Sequence, residues 1–301
     1  MWSGLVAYGF ERLYVHRVMN VRKLSVSDRE PMAHAFWQAH IRANSDKPTV
    51  VFLGSSTTYG YAWQESVIFS RKFADHASSW KVVNLSVIGV GMTGIRDYLL
   101  CPLLAAIDRK PEILIVEIPI VNTTAEFVRK GDVLQQPRKC DGVISHGLDY
   151  FRFVIERPRG TNWIPLIWDE YAYDKLDEKI ALPPMGLDYF ASAVKFANVE
   201  KQYRKELHDF FVQISSLGQK IVVFISPIYL AGVDQVGGDR AAVEYQTEVT
   251  LQVCRTHPLI QCLSVSEFGE NPNAFSNVTH LNQSGHHAFG EWLAKQVLST
   301  H

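Results

Sequence analysis

Five short stretches of this chain are almost continuously apolar, and each gives way to a polar cluster or a turn residue. They cover residues 49–53, 81–85, 112–118, 220–226 and 259–265, each rich in Val, Ile or Leu. Strands without polar alternation are apolar on both faces, the mark of a parallel sheet covered on both sides. Between them lie helical stretches over 66–77, 95–108, 240–255 and 284–298. A longer one over 187–217 carries Phe190, Val194, Ala197, Leu207, Phe210, Phe211 and Ile214. Strand and helix in alternation predict an α/β domain built as three layers, helix on sheet on helix.

Two segments stand outside that alternation. Residues 1–45 read as helical, with Pro31 opening a second segment through Phe36, Trp37 and Ile41, so 1–47 are expected as an N-terminal extension. Residues 123–185 have no clear period. They carry Pro137, Pro158, Pro165, Pro183 and Pro184 among Tyr150, Phe151, Phe153, Trp163, Trp168, Tyr171 and Tyr173. A loop this long inside a compact domain is a lid or binding element, or a subdomain burying its own aromatics.

Composition narrows the class. Of 301 residues, 47% are hydrophobic and 20% charged, ordinary for a globular chain with a large core. Lys and Arg number 30 against 31 Asp and Glu, a net charge of −1, so no basic face advertises nucleic acid. No run of 18 apolar residues exists, so no transmembrane helix is expected. The apolar start, Met1 to Phe10, lacks the charged-then-apolar order of a signal peptide. It reads either as the tail of a trimmed anchor, with an extracytoplasmic location, or as a first helix packed on the core. Cys101, Cys140, Cys254 and Cys262 form no C-x-x-C pair. They are expected chiefly as small buried hydrophobes, with a Cys254–Cys262 bridge as the alternative.

Chemistry concentrates where the apolar runs stop. The first ends in Gly54-Ser55-Ser56-Thr57-Thr58, a strand, a sharp turn and a helix start. A serine there sits at the carboxyl edge of the sheet, where open α/β folds bind ligands, beside backbone N–H groups able to face an oxyanion. The plain alternative is a Ser/Thr cap that satisfies those amides. A phosphate loop is disfavoured, since the Lys of G-x-x-x-x-G-K-[ST] is missing. Further polar clusters follow the second strand (Asn84 to Gly94), the third (Glu117 to Thr124) and precede the last helix (Asn277 to His286). In a doubly wound sheet these points converge. His286 and His287, adjacent on a helix, point about 100° apart and make no metal site with His280; no metal or cofactor is expected.

Over residues 48–299 this set resembles the SGNH (GDSL-like) hydrolase family. Gly54-Ser55-Ser56-Thr57-Thr58 is similar to its first block, G-D-S-x-[ST], with Ser55 in place of Asp. Gly89, five residues after Asn84, falls on the second block. Asn122 is the asparagine available for the third, with Pro119 and Thr123 where Gly and Asp would be expected nearby. Asn277-Val278-Thr279-His280 is similar to D-x-x-H, with Asn277 in place of Asp. The resemblance implies a five-stranded, flavodoxin-like parallel sheet in the order 2-1-3-4-5; it does not account for the aromatic-rich insertion at 123–185, which follows the third strand. It further implies an esterase or acyl hydrolase acting on a small-molecule or carbohydrate oxygen ester, or an O-acetyltransferase or O-acetyl esterase of cell-surface polysaccharide. Ser56 would be the nucleophile, His280 the base and Asn277 its partner. The Ser56 and Gly89 amides and the Asn122 side chain would form the oxyanion hole. Trp163 and Trp168 are expected to touch substrate. An asparagine orients the histidine without adding charge, so three states follow: a Ser–His dyad, an acid recruited from Glu267 or Glu270, or a silent binding module on the same fold.

Overall fold

The computed structural model describes residues 47–60, 67–86, 91–96, 100, 111–124, 193–217 and 220–298. The expected N-terminal extension, Gly89, Trp163, Trp168, Cys101, Cys140 and nearly all of 123–185 lie outside them.

The sheet has five strands, β1 (Thr49–Leu53), β2 (Lys81–Asn84), β3 (Ile113–Ile118), β4 (Lys220–Ile225) and β5 (Ile260–Leu263), in the order β2-β1-β3-β4-β5. Every pairing is parallel. The parallel direction is the one the apolar runs anticipate and the order is the one the resemblance implies, with strand bounds shifted by two residues at most. The described helices are α1 (Ser56–Tyr59), α2 (Phe69–His76), α3 (Met92–Ile95), α4 (Ala193–Ser215), α5 (Leu230–Gln235), α6 (Arg240–Arg255), α7 (Ser266–Gly269) and α8 (Gln283–Leu298).

Alternate strand residues feed two cores. Val51, Leu53, Leu114, Val116, Ile221 and Val223 point to one face, where Tyr203, Leu207, Phe210 and Phe211 of α4 and Val249 and Val253 of α6 cover them. Val50, Phe52, Ile113, Ile115, Val222 and Phe224 point to the other, under Phe69 and Phe73 of α2 and Phe289, Leu293 and Val297 of α8. Phe69 joins this second core through edge-to-face contacts with Phe52, Phe224 and Phe289. Burial on both faces is what keeps the strands apolar throughout, and it gives the three-layer architecture.

The cysteine expectation is corrected for one pair. Cys254, in the last turn of α6, and Cys262, in β5, form a disulfide with Cα atoms 6.1 Å apart. The tight turn from helix back to strand brings the two residues within bridging range. Closing so short a loop is worth about 2–3 kcal/mol in the chain-entropy account. No helix among the described residues is long and apolar enough to cross a membrane.

Candidate active site

At the carboxyl edge of the sheet, β1 runs through Gly54 into α1. Tyr59 N–H bonds to Ser55 C=O at 2.8 Å, and the helix stops after one turn at Gly60, whose φ of 72° is open to glycine at little cost. Ser55 occupies the N-cap, yet its side chain makes no cap hydrogen bond, so the simple Ser/Thr cap is not what forms. The cap comes from β3. Glu117, fully buried, accepts Ser55 N–H at 2.8 Å and Thr58 N–H at 3.1 Å on Oε2. The same oxygen accepts the Thr58 hydroxyl at 2.5 Å, and Oε1 accepts the Ser226 hydroxyl from the end of β4 at 2.5 Å. Four donors around one carboxylate offset the cost of burying it.

Gly54 is required by this cluster. Leu53 pairs with Val116, so the next step of the register sets Gly54 beside Glu117 on one sheet face. A Cβ at 54 would overlap Thr58 Oγ1 and lie 2.5 Å from Glu117 Oε2. Gly54→Ala is therefore expected to lower stability by about 1–3 kcal/mol. It should also cut any Ser56-dependent turnover more than a hundredfold, read by thermal melting and ester kinetics on the same sample.

Ser56, half-buried, is the first residue of α1 and lines a cleft with Thr57, Glu117, Pro119, Val121, Asn122, Ser226, Ile228 and Thr279. Its N–H donates to no group among the described residues. Asn122 stands in the helical turn 120–124 that follows β3, and its Nδ2 donates to Ser55 Oγ at 3.0 Å. Ser55 thus holds Asn122 at the rim. Thr123 Oγ1 accepts Met92 N–H at 3.0 Å, fixing the start of α3 beside this turn. Arg96, one residue past α3, forms a buried ion pair with Glu206 of α4 at 2.9 Å. Asn84 completes the β2 side. Its Nδ2 donates to Thr58 C=O at 2.7 Å and Ser70 Oγ at 2.8 Å, and its Oδ1 accepts Ser86 N–H at 3.1 Å.

The histidine arrives from the opposite end of the chain. Asn277 Oδ1 accepts the backbone N–H of Thr279 at 3.0 Å and of His280 at 2.9 Å, and it lies 2.9 Å from His280 Nδ1. Two amide donors identify that atom as the oxygen, which assigns the ring proton to Nδ1 and the lone pair to Nε2. Burial pushes the His280 imidazole down to about 4. Thr57 Oγ1 donates to Thr279 C=O at 3.3 Å, tying the residue after Ser56 to the residue before His280. No hydrogen bond joins the Ser56 and His280 side chains; catalytic contacts are often long before substrate binds. Glu267 and Glu270 are exposed, and Glu270 Oε1 pairs with Arg240 at 3.0 Å, so neither is drawn to the ring. His286 is a core residue whose Nδ1 accepts Phe69 N–H at 3.3 Å. Among the described residues no cluster of three potential metal ligands occurs.

Glu117 and Ser226 carried no role in the sequence reasoning. A lone acid inside the apolar run Ile-Leu-Ile-Val-Glu-Ile was the available signal, because a buried charge in a central strand needs partners.

No protein-family model and no curated protein matches the sequence. Among solved structures, the chain is similar to a lipase/acylhydrolase from Enterococcus faecalis, at 12% identity and a TM-score of 0.47, covering 84% of this chain and 96% of that one. It is similar to a carbohydrate acetylesterase from Sinorhizobium meliloti, at 10% identity and a TM-score of 0.46, over 85% and 100% of the two chains. It is also similar to a member of the lipolytic protein G-D-S-L family from Veillonella parvula, at 10% and 0.46, over 83% and 98%.

Proposed function

We propose that this chain is a serine esterase or acyl-transfer enzyme of the SGNH type, acting on an oxygen ester through Ser56 and His280. One observation carries the reading. Ser56 lines the cleft with an N–H that has no acceptor among the described residues, and the segment holding His280, its proton on Nδ1, is bonded to the residue after Ser56. Ser56 Oγ attacks the acyl carbon while His280 Nε2 takes its proton. The oxyanion that forms is met by Ser56 N–H, with Gly89 N–H and the Asn122 amide as the further donors the resemblance implies. Collapse expels the alcohol, which recovers the proton from His280. Water, or a sugar hydroxyl, then takes the acyl group from Ser56.

A small-molecule or carbohydrate ester is the substrate class this supports, with Trp163 and Trp168 as candidate contacts. The domain carrying the chemistry would span 48–299. The Cys254–Cys262 bridge favours an oxidising, extracytoplasmic compartment. Incubation with a fluorophosphonate serine probe tests the reading, with mass spectrometry locating the adduct. Labelling at Ser56 is expected, together with turnover of p-nitrophenyl esters. An inert Ser56, with no ester cleaved, would leave the silent binding module in its place.

A further inference from the structure

Four donors from three residues meet on Glu117, and they include two amides of the turn that carries Ser56. We propose that Glu117 is a positioning residue that sorts those amides: it takes Ser55 N–H and Thr58 N–H and leaves Ser56 N–H to face the oxyanion. This inference rests on Ser56 being the nucleophile.

The first turn of any helix presents amides without partners of their own. Were all of them open at the cleft, water or a misplaced substrate oxygen could bond to any one, and the turn could rock. Oε2 of Glu117 removes two from the competition, those before and after Ser56 and Thr57. A third bond, from the Thr58 hydroxyl, pins the same oxygen from the other side. Ser226 holds Oε1, so the carboxylate is tied to β4 as well as to the turn. Gly54 supplies the space that brings this carboxylate against the turn. A carboxylate under an oxyanion site would oppose the developing charge if left bare; here its lone pairs are spent on donors. Carboxylate acceptors bind backbone N–H about twice as strongly as neutral ones, which suits a turn that must not move during the reaction.

Glu117→Gln is the discriminating variant. Its amide oxygen can still accept Ser55 and Thr58, while its NH₂ can donate to Ser226 Oγ. The Ser226 hydroxyl can then turn to Ile118 C=O, already 3.3 Å away. The fold is therefore satisfiable, but the acceptor is weaker. The expected result is a 10- to 100-fold fall in kcat with KM within twofold, and faster exchange of the Ser55 and Thr58 amide hydrogens. A residue that merely fills space would give a kcat within twofold of wild type and unchanged exchange at both amides, and that pair of results overturns the proposal. If Glu117→Gln does not fold, Thr58→Val removes only the hydroxyl bond to Oε2. A three- to tenfold loss confined to kcat supports the role, and an unchanged kcat removes it. If wild type neither hydrolyses esters nor reacts with the serine probe, the esterase reading falls by itself. Amide exchange in Glu117→Gln then decides the role of Glu117 without any activity.

Discussion

Replacing Ser56 with Ala should lower ester turnover by roughly four to six orders of magnitude, leaving only what the oxyanion donors and binding provide. The side chain is small, half-buried and at the lip of a cleft. Its loss removes no cap and no side-chain hydrogen bond to another described residue, so the thermal midpoint should stay within a few degrees. His280→Ala should fall nearly as far, and the double variant little further, because nucleophile and base act as one unit. The measurement is kcat/KM for both single variants and the double, beside melting curves. Full turnover in Ser56→Ala would remove the mechanism. Losses that simply multiply would mean that the two residues work in separate steps.

The second large effect lies in the pH profile. His280 must be neutral to accept a proton, and burial holds its pKa near 4 against an ordinary 6.5. Activity that depends on this base should therefore persist well into acid, falling about tenfold per pH unit only below roughly pH 4. Stability moves the other way across that window. Below pH 6.5 the unfolded chain takes up a proton that folded His280 refuses until about pH 4, so its contribution is lost as pH falls, to a total of about 3 kcal/mol. Asn277→Asp keeps the three contacts at Oδ1 and adds a charge beside Nδ1. That charge should raise the His280 pKa, move the acid limb toward neutrality and stabilise the imidazolium. We expect kcat at neutral pH to rise roughly 3- to 30-fold, well short of the ~10⁴ that an aspartate brings in serine proteases. A profile that breaks near 6.5 in wild type, or does not move in Asn277→Asp, would separate the base from His280.

The fold was legible where burial made the sequence monotonous. Val50 to Leu53 and Ile113 to Val116 are shielded on both faces, so no polar residue interrupts them and the strands could be bounded closely. Helix α6 was readable at both ends, since Asp239 caps it by accepting Ala242 N–H at 3.0 Å and its apolar stripe is long. Helices α5 and α7 are six and four residues long, too short to display a period. The pairing of Asn277 with His280 came from the resemblance to D-x-x-H, a short local motif whose two side chains can meet without help from the fold. Glu117 was not legible in this way. Its donors lie 59 to 109 residues away, and only the sheet register brings them together. The disulfide was undecided for the same reason, since spacing alone does not report a distance between Cα atoms.

The bond from Thr57 Oγ1 to Thr279 C=O joins positions 222 residues apart. The bond from Phe69 N–H to His286 Nδ1 spans 217 residues of nearly the same segment and holds α2 against α8. Closing a flexible loop of that length costs roughly 5 kcal/mol in chain entropy, to be recovered from contacts that exist only once both ends have arrived. Strand pairs and helices within the loop can form earlier, because their closures are shorter. The two halves of the cleft should therefore meet late in refolding, when the last helix docks. After dilution from denaturant, regain of ester turnover would lag behind regain of helical signal, and in vectorial synthesis the cleft would be complete only after the segment carrying His280 had been made.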